Sequence, residues 1–110
     1  MTLQYTVAFK RQLKRLSRKY RRIRDDITPI LEQLGAGEYP GDQISGTGYT
    51  LYKVRAPNRD AQCGASGGYR IIYRLQAEDD VLLIAVYSKT EQSDISAGEI
   101  RKIIREEKGA

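Results

Sequence analysis

Hydrophobic and polar residues change their spacing near the start of the chain. Leu3, Tyr5 and Val7 alternate with polar or small residues, and this period of two predicts a short strand with one buried face. From Phe9 onwards the apolar residues recur every three or four positions, which is the spacing of a buried stripe along an α-helix. The stripe consists of Phe9, Leu13, Leu16, Tyr20 and Ile23. We therefore expect a strand and then a helix whose polar side faces water.

A second helix is predicted directly after the first. Asp25 or Asp26 can cap its N-terminus, and Pro29 is acceptable in the first turn, where backbone amides have no helical partner. Gly35 or Gly37 can end the helix. Its buried face is expected to consist of Ile27, Ile30, Leu31 and Leu34. Two helices with so short a connection should form an antiparallel hairpin.

Glycine-rich and alternating segments follow one another in the middle of the chain. Residues 35–48 contain Pro40 and several glycines, so we expect a loop there. Alternation over residues 49–55 predicts a strand, and residues 68–75 predict the next one. The 12 residues from 56 to 67 are expected to form the loop between them. This part of the chain is thus predicted to contribute two strands to a sheet.

The last third of the chain predicts one buried strand and one helix. An acidic turn at residues 77–80 precedes residues 81–89, which are nearly all apolar, as in a central strand covered on both faces. Ser96 and Glu99 have the spacing of a helix capping box, which predicts the start of the last helix. The apolar side of that helix is expected to be Ile100, Ile103 and Ile104.

These elements predict one α+β domain over residues 1–110, because a chain of 110 residues has room for a single hydrophobic core. The predicted order is β-α-α-β-β-β-α. The sheet is expected to be twisted and mainly antiparallel, with the helical hairpin packed on one face and a C-terminal helix.

Positive charge is concentrated in the first helix. The net charge is +5, and residues 1–24 hold nine basic residues and no acidic one. The nine are Lys10, Arg11, Lys14, Arg15, Arg18, Lys19, Arg21, Arg22 and Arg24. Such a stripe attracts polyanions through salt-sensitive electrostatics. Nucleic acid and an acidic protein both fit it, and a solvated helix face without a partner is the third interpretation.

The absent residue types exclude several chemistries. The chain has no histidine, so a serine–histidine or cysteine–histidine couple and the common zinc sites are excluded. Cys63 is the only cysteine, which excludes an intrachain disulfide and favours the reducing cytoplasm. The longest apolar run, residues 81–87, is far shorter than the roughly 20 residues that span a membrane. We expect no metal, no cofactor and no membrane partner.

Three motifs occur in a fixed order along the chain. They are LYKVR at residues 51–55, GGYRIIY at 67–73 and VYSKTEQSD at 86–94. Together with the basic first helix and the terminal helix, they resemble the RelE/ParE superfamily of bacterial toxin–antitoxin toxins, and most closely its RelE-like and HigB-like members. The resemblance implies a toxin that cleaves messenger RNA on the ribosome without a metal, inhibits translation, and is held by a cognate antitoxin with an acidic segment and a DNA-binding region.

Two alternatives stay open within this resemblance. ParE-like members share the fold but inhibit DNA gyrase, and a relative without catalytic activity would bind only nucleic acid or protein. The RelE-like branch is favoured because the Gly-Gly-Tyr-Arg and Tyr-Ser-Lys-Thr-Glu runs look closest to its members. The predicted function is therefore that of a metal-independent endoribonuclease.

Cleavage of RNA by its own 2′-hydroxyl needs a proton acceptor, cations for the phosphorane charge and a proton donor for the 5′-oxygen. Lysine, tyrosine and arginine can supply these functions where histidine is absent. Lys53 and Arg55 share one strand face by alternation, and Tyr87 and Lys89 share another. Arg70 lies in the strand between them along the chain. These five residues are the predicted catalytic group.

The resemblance assigns roles within this group. In RelE-like ribonucleases, basic residues that match Lys53, Arg55 and Arg70 bind and activate the scissile phosphate. The same enzymes carry a further arginine where this chain has Thr90 and a catalytic tyrosine where it has Ser96. These two departures imply either another arrangement of the proton-transfer groups or a weak or absent nuclease.

In the other arrangement Tyr87 and Lys89 take the proton-transfer roles. HigB-like relatives also lack the tyrosine, which is consistent with this assignment. Arg59, Tyr73 and Arg74 are predicted to bind the nucleic acid outside the catalytic group, although Tyr73 could instead belong to the core.

Overall fold

The computed structural model describes residues 2–62, 64, 67–76 and 80–108, except for the side chain of Lys108. This part of the chain forms three helices and five strands, which confirms the predicted α+β class. The elements are β1 (Leu3–Tyr5), α1 (Val7–Lys19), α2 (Ile23–Gly35), β2 (Asp42–Ile44), β3 (Leu51–Ala56), β4 (Tyr69–Leu75), β5 (Val81–Ser88) and α3 (Ala97–Lys108). They follow the predicted order, with β2 as an additional strand.

The strands form one sheet with β4 at its centre, in the order β1-β5-β4-β3-β2. β1 pairs in parallel with β5, and the other three neighbouring pairs are antiparallel. The prediction of a mainly antiparallel sheet is therefore confirmed. Every residue of β5 is buried, as expected for a strand covered on both faces.

The two faces of the sheet carry different helices. α1 and α2 pack their apolar side chains on one face, here called the hairpin face, against Tyr69, Ile71 and Tyr73 of β4. α3 packs on the opposite face, here called the α3 face, over Ile72 of β4 and Ile84 of β5. The predicted packing of the hairpin on one face is thus confirmed, and alternation along each strand divides its residues between the two faces.

A β-bulge decides which residues of β5 reach each face. Leu83 and Ala85 pair with successive residues of β4, so Ile84 between them is an extra residue in β5. An extra residue shifts the alternation by one position. Tyr87 therefore lies on the α3 face, whereas an uninterrupted strand would carry it to the hairpin face.

Both helices of the hairpin begin earlier than the sequence pattern predicts. α1 begins at Val7, because the Thr6 hydroxyl caps it by accepting a hydrogen bond from the Phe9 amide at 2.9 Å. Val7 is 57% exposed and does not extend β1. α2 begins at Ile23, which therefore does not belong to the stripe of α1. Periodicity alone did not separate the helices, since Ile23 packs in the same core as α1.

The predicted capping of α2 is wrong as well. Arg22 occupies the N-cap position without a side-chain hydrogen bond, and Asp25 and Asp26 lie in the first turn. Pro29 lies in the interior of the helix, so one helical hydrogen bond is missing there. The end of the helix agrees with the prediction, since α2 stops at Gly35 and the following Gly37 has a φ of 86°.

β2 lies in the segment 35–48 that the sequence predicts to be a loop, so that prediction is wrong for Asp42–Ile44. The strand is short and mostly exposed, and it forms only because β3 offers a free edge. Gly41 allows the chain to approach β3 closely at the start of β2. It has a φ of 98°, and a Cβ there would lie 2.3 Å from the carbonyl oxygen of Lys53.

Some predictions lie outside the described residues, and some sites are absent within them. Cys63 and residues 77–79 of the predicted acidic turn belong to the part that the structure does not describe. Within the described ranges, no helix is long and apolar enough to cross a membrane. In the same ranges, no group of three or more His, Cys, Asp or Glu side chains could hold a metal ion.

Polar groups of α1 and its cap cover the edge of β5 beyond the end of β1. The Thr6 amide donates to the Leu83 carbonyl at 3.0 Å, and the Thr6 hydroxyl donates to the Ile84 carbonyl at 2.7 Å. The side-chain oxygen of Gln12 accepts from the Val86 amide at 2.9 Å. These contacts satisfy the backbone of β5 around its bulge, where β1 is too short to do so.

Thr6→Val should reduce the free energy of unfolding by roughly 2–3 kcal/mol, because it removes a helix cap and leaves the Ile84 carbonyl without its donor. Thr6→Ser is the matched control, since it keeps the hydroxyl and removes one buried methyl group, a loss of about 1 kcal/mol. Chemical denaturation of the three proteins measures both effects. Equal losses for valine and serine would show that the hydroxyl contacts do not stabilise β5.

Candidate functional site

Three of the predicted catalytic residues lie in one row across the sheet. Arg70 of β4 pairs with Arg55 of β3 on one side and with Tyr87 of β5 on the other. Directly opposed residues of antiparallel strands point to the same face, with Cβ atoms about 4.5–5.5 Å apart. This row lies on the α3 face, and Lys53 reaches the same face two residues before Arg55. The fold therefore brings together four of the five predicted residues.

Exposure to solvent falls along the row from β3 to β5. Arg55 is exposed, and the side chain of Lys53 is 35% exposed. Arg70 is 6% exposed and donates from Nη1 to the carbonyl oxygen of Tyr69 at 3.2 Å, whereas Tyr87 is 3% exposed. A ligand would therefore reach the row from the side of β3.

The row concentrates positive charge on a small part of the α3 face. Arg55 and Arg70 stand directly opposite each other, and like charges in that position destabilise a sheet. Arg55 forms no ion pair with any residue of the described ranges. A bound anion would relieve the repulsion, and the planar guanidinium fork matches two oxygens of a phosphate. The arrangement is chemically suited to a phosphate group.

Asp94, which the sequence analysis did not select, joins two members of this group. Its Oδ1 atom accepts a hydrogen bond from Lys53 Nζ at 3.1 Å and from the Tyr87 hydroxyl at 3.3 Å. The Ile95 amide donates to the same oxygen at 2.8 Å. The Ile95 amide and the Lys53 ammonium keep the pKa of Asp94 below its usual range. The signal for Asp94 was its position at the end of the third motif.

Tyr87 is held in its protonated form. Burial raises its pKa to about 12, and the Asp94 carboxylate acts in the same direction, while Arg70 acts against it. The Arg70 cation therefore does not bring the pKa of Tyr87 below its usual value. At neutral pH Tyr87 can donate a proton, but it is a poor acceptor.

Lys89 does not share a strand face with Tyr87, so this part of the sequence prediction is wrong. β5 ends at Ser88, and a turn begins there, with the Glu91 amide donating to the Ser88 carbonyl at 3.1 Å. The ammonium of Lys89 donates to the Ser93 carbonyl at 3.0 Å and is exposed. Its contact within this turn gives it a structural role there.

The two positions that depart from the RelE-like pattern have local structural partners. The hydroxyl groups of Thr90 and Ser88 lie 2.9 Å apart and share a hydrogen bond. The Ser96 hydroxyl accepts from the Glu99 amide at 3.1 Å, and so it caps α3 as the sequence pattern predicts. A serine at this position stabilises the start of the helix and offers no phenol.

Arg59 lies near the start of the loop that follows β3, where it pairs with a buried carboxylate. Its Nε atom forms an ion pair with Oδ1 of Asp26, and its backbone amide donates to Oδ2 of the same residue at 3.1 Å. The Asp26 side chain has no exposed surface. The pairing fastens this loop to α2, and contact of Arg59 with nucleic acid stays a prediction.

Tyr73 belongs to the core of the hairpin face, on the opposite side of the sheet from the row. It is fully buried, and its ring stacks on that of Tyr52 with centroids 5.4 Å apart. Its hydroxyl donates to the Pro40 carbonyl at 2.5 Å. A nucleobase cannot reach this ring, so the predicted binding role does not fit, and the alternative of a core residue does.

Arg74 lies on the α3 face at the other end of β4. Its guanidinium stands 4.5 Å from the ring centre of Tyr49, and its buried Nε and Nη1 atoms have no hydrogen-bond partner among the residues that the structure describes. It lines a cleft of about 560 Å³ together with Ile104 of α3. Ile72, covered by α3, separates this cleft from the row. A role for Arg74 in nucleic-acid binding stays a prediction.

Tyr73→Phe should reduce stability by about 1–3 kcal/mol, because the partly buried Pro40 carbonyl loses its donor. It should leave affinity for RNA unchanged, since the ring has no surface that RNA could contact. Urea denaturation and a filter-binding assay measure the two quantities. A weaker RNA affinity at unchanged stability would show that Tyr73 does contact RNA. Tyr39→Phe is the control, because it removes a hydroxyl from a more exposed ring.

The chain is similar in sequence to a protein family and in fold to a solved structure. Residues 3–93 match the model of the family described as the ParE toxin of the type II toxin–antitoxin system parDE. The fold is similar to a solved structure of a doubly substituted mutant of the E. coli toxin RelE in the free state, with a TM-score of 0.55. The match covers 96% of this chain and 94% of that one at 19% sequence identity, so it concerns the fold alone. No curated protein sequence matches the chain.

Proposed function

Since the chain belongs to the ParE toxin family of type II toxin–antitoxin systems, within the RelE/ParE superfamily, we propose that it is the toxin of such a pair and cleaves messenger RNA on the ribosome. In this proposal it is a metal-independent endoribonuclease of the cytoplasm that inhibits translation. The observation that carries the proposal is the row of Arg55, Arg70 and Tyr87 with Lys53 beside it.

The four side chains divide the chemistry of RNA cleavage between them. Arg55 and Arg70 bind the non-bridging oxygens of the scissile phosphate, and Lys53 adds positive charge where the phosphorane becomes more negative. The 2′-oxygen attacks phosphorus and loses its proton to a solvent water molecule, while the bond from phosphorus to the 5′-oxygen breaks. Tyr87 donates the proton that the leaving 5′-oxygen requires, because its raised pKa keeps the hydroxyl protonated at neutral pH.

Inhibition of DNA gyrase is the second candidate function. It is favoured by the family model, which describes ParE toxins, and by Ser96, which stands where RelE-like enzymes carry a catalytic tyrosine. A ParE-like toxin has no need of a phosphate site on the sheet. The opposed arginines favour the ribonuclease, since a sheet without an anionic ligand gains nothing from placing two guanidinium groups together.

The family implies a cognate antitoxin, and the basic residues of α1, the following turn and the start of α2 are its proposed contact. All nine side chains of this basic stripe are exposed. Only two of them form ion pairs within the described ranges, Arg15 with Glu91 and Arg22 with Asp60. The others are available to an acidic antitoxin segment, and long-range attraction of this kind mainly accelerates association.

Induced expression without antitoxin should stop protein synthesis before DNA synthesis, because a ribosome-dependent nuclease acts on translation directly. Incorporation of labelled methionine and of labelled thymidine, followed in parallel after induction, tests this order. The Arg70→Ala protein, which is expected to lose the most activity, is the control for unspecific effects of expression. An earlier arrest of DNA synthesis, together with loss of gyrase supercoiling in vitro, would support the ParE-like function instead.

Arg70→Ala should lower the rate of cleavage of ribosome-bound message by about 10²–10³, by analogy with removing one donor from an oxyanion hole. Arg55→Ala and Lys53→Ala should each reduce the rate less if they share the phosphate. Arg55 is exposed, so its substitution should leave the melting temperature unchanged.

Because Arg70 is buried, Arg70→Ala is measured together with Arg70→Lys. Lysine keeps the positive charge but not the bidentate fork. The exposed Lys102 of α3 gives a matched control, Lys102→Ala, which should cleave normally. Full activity of the Arg55 and Arg70 variants, with intact melting behaviour, would place the phosphate elsewhere.

A further inference from the structure

Asp94 connects two strands that are not neighbours in the sheet. Lys53 is on β3 and Tyr87 is on β5, with β4 between them. Adjacent strands lie about 4.8 Å apart, so the two backbones are separated by roughly 10 Å. One carboxylate oxygen nevertheless accepts hydrogen bonds from both side chains. The carboxylate therefore holds the ends of two long side chains at one point above β4.

We propose that Asp94 is a positioning residue of the nuclease site, which holds the Lys53 ammonium and the Tyr87 hydroxyl side by side at the edge of the phosphate site. The inference rests on the proposed ribonuclease function and deepens it. Asp94 itself need not touch RNA, because its effect passes through the two groups that it binds.

The placement of Asp94 in its loop supports this role. The hydrogen bond from the Ile95 amide fixes the carboxylate, and Ile95 is itself buried in the core of the α3 face. The loop between β5 and α3 is thereby anchored on both sides of Asp94, since Lys89 donates to Ser93 in the preceding turn. A carboxylate on such an anchored loop can orient flexible side chains. A carboxylate on a mobile loop would instead move together with the side chains that it binds.

The distribution of the hydrogen bonds also fits a positioning role. Within the described ranges all three donors to the Asp94 carboxylate bind Oδ1, and no donor to Oδ2 is found. The Lys53 ammonium has three N–H groups. Asp94 occupies one of them, so the others can bind a phosphate. The Tyr87 hydroxyl, by contrast, must leave Asp94 to protonate the 5′-oxygen, and a single hydrogen bond of 3.3 Å permits that exchange.

A purely structural ion pair between Lys53 and Asp94 is the alternative. The size of the effect of substituting Asp94 distinguishes the two interpretations. The Asp94 side chain is 64% exposed and that of Lys53 is 35% exposed. Pairs at such exposure contribute little to folding stability. A structural role therefore predicts small changes in both stability and activity, whereas misplacing catalytic groups by about 1 Å can reduce a rate by about 10²-fold.

The first experiment tests the contact without any nuclease assay. 3-Fluorotyrosine, whose phenol is more acidic than that of tyrosine, is placed at position 87, and its ionisation is followed by ¹⁹F NMR. Asp94→Asn removes the negative charge beside the phenol and leaves Arg70 there, so the midpoint should fall. Asp25→Asn removes an exposed charge elsewhere and should leave the midpoint unchanged. An unchanged midpoint in the Asp94→Asn protein overturns the inference, whatever the chemistry of the protein.

The second experiment measures the effect on cleavage of ribosome-bound message. Asp94→Ala should lower kcat by about 10²-fold at unchanged KM and melting temperature. Asp94→Asn should lose less, about 10-fold, because its amide oxygen can still accept from both partners. In the Tyr87→Phe background the loss on Asp94→Ala should shrink, since residues that act through each other are not additive.

The two experiments separate the failure of the inference from that of the proposed function. Wild-type kcat in the Asp94→Ala protein, or full additivity with Tyr87→Phe, overturns the positioning role while the nuclease stands. A parent protein that cuts no message overturns the proposed function and the catalytic part of this inference together. The ¹⁹F midpoint then still decides whether Asp94 holds Tyr87 in solution.

Discussion

The register of β4 between β3 and β5 is the constraint on which the rest of the structure depends. It places Arg55, Arg70 and Tyr87 in one row, and a slip by one residue would move every side chain of a strand to the other face. Such a slip of β4 would bury Arg70 beneath the hairpin and bring Tyr69 and Tyr73 to the α3 face. The core opposes it, because these tyrosines fill the space below α1 and α2. Burial of the hairpin face thus determines the chemistry of the opposite face.

The bulge in β5 adds a second condition to this register. Without Ile84 as an extra residue, Tyr87 would point to the hairpin face, away from Arg70. A bulge leaves backbone groups without their partners in the ladder, and at this strand they are satisfied from outside the sheet. Thr6 and Gln12, at the cap and within α1, bind the backbone on either side of Ala85. The start of the first helix therefore helps to direct a side chain that lies on the far side of the sheet.

Short-range pattern was enough to predict most of the fold, and the failures have physical causes. Period-two spacing predicted β3, a continuous apolar run predicted β5, and period-3.6 spacing predicted the helices, because each of these elements buries one face or two. β2 was missed because a strand of only three residues is too short to show a pattern, and it forms by pairing with β3. Lys53, Arg55 and Arg70 were predicted to act together, and alternation and pairing do unite them. Asp94 was missed because its contact with Lys53 spans 41 residues of sequence. Lys89 was misplaced because alternation does not show where β5 ends.

The departures from the RelE-like pattern are consistent with a different location of the proton donor. A residue at the start of α3 can either cap the helix or carry a catalytic group towards the sheet, and Ser96 caps it. The proposed donor therefore comes from β5, where burial and Asp94 keep Tyr87 protonated. A phenol on a strand is held by the register of the sheet, whereas one at a helix start depends on the loop before it. In this arrangement the loop before α3 supplies a carboxylate that orients the donor, and the sheet supplies the donor itself.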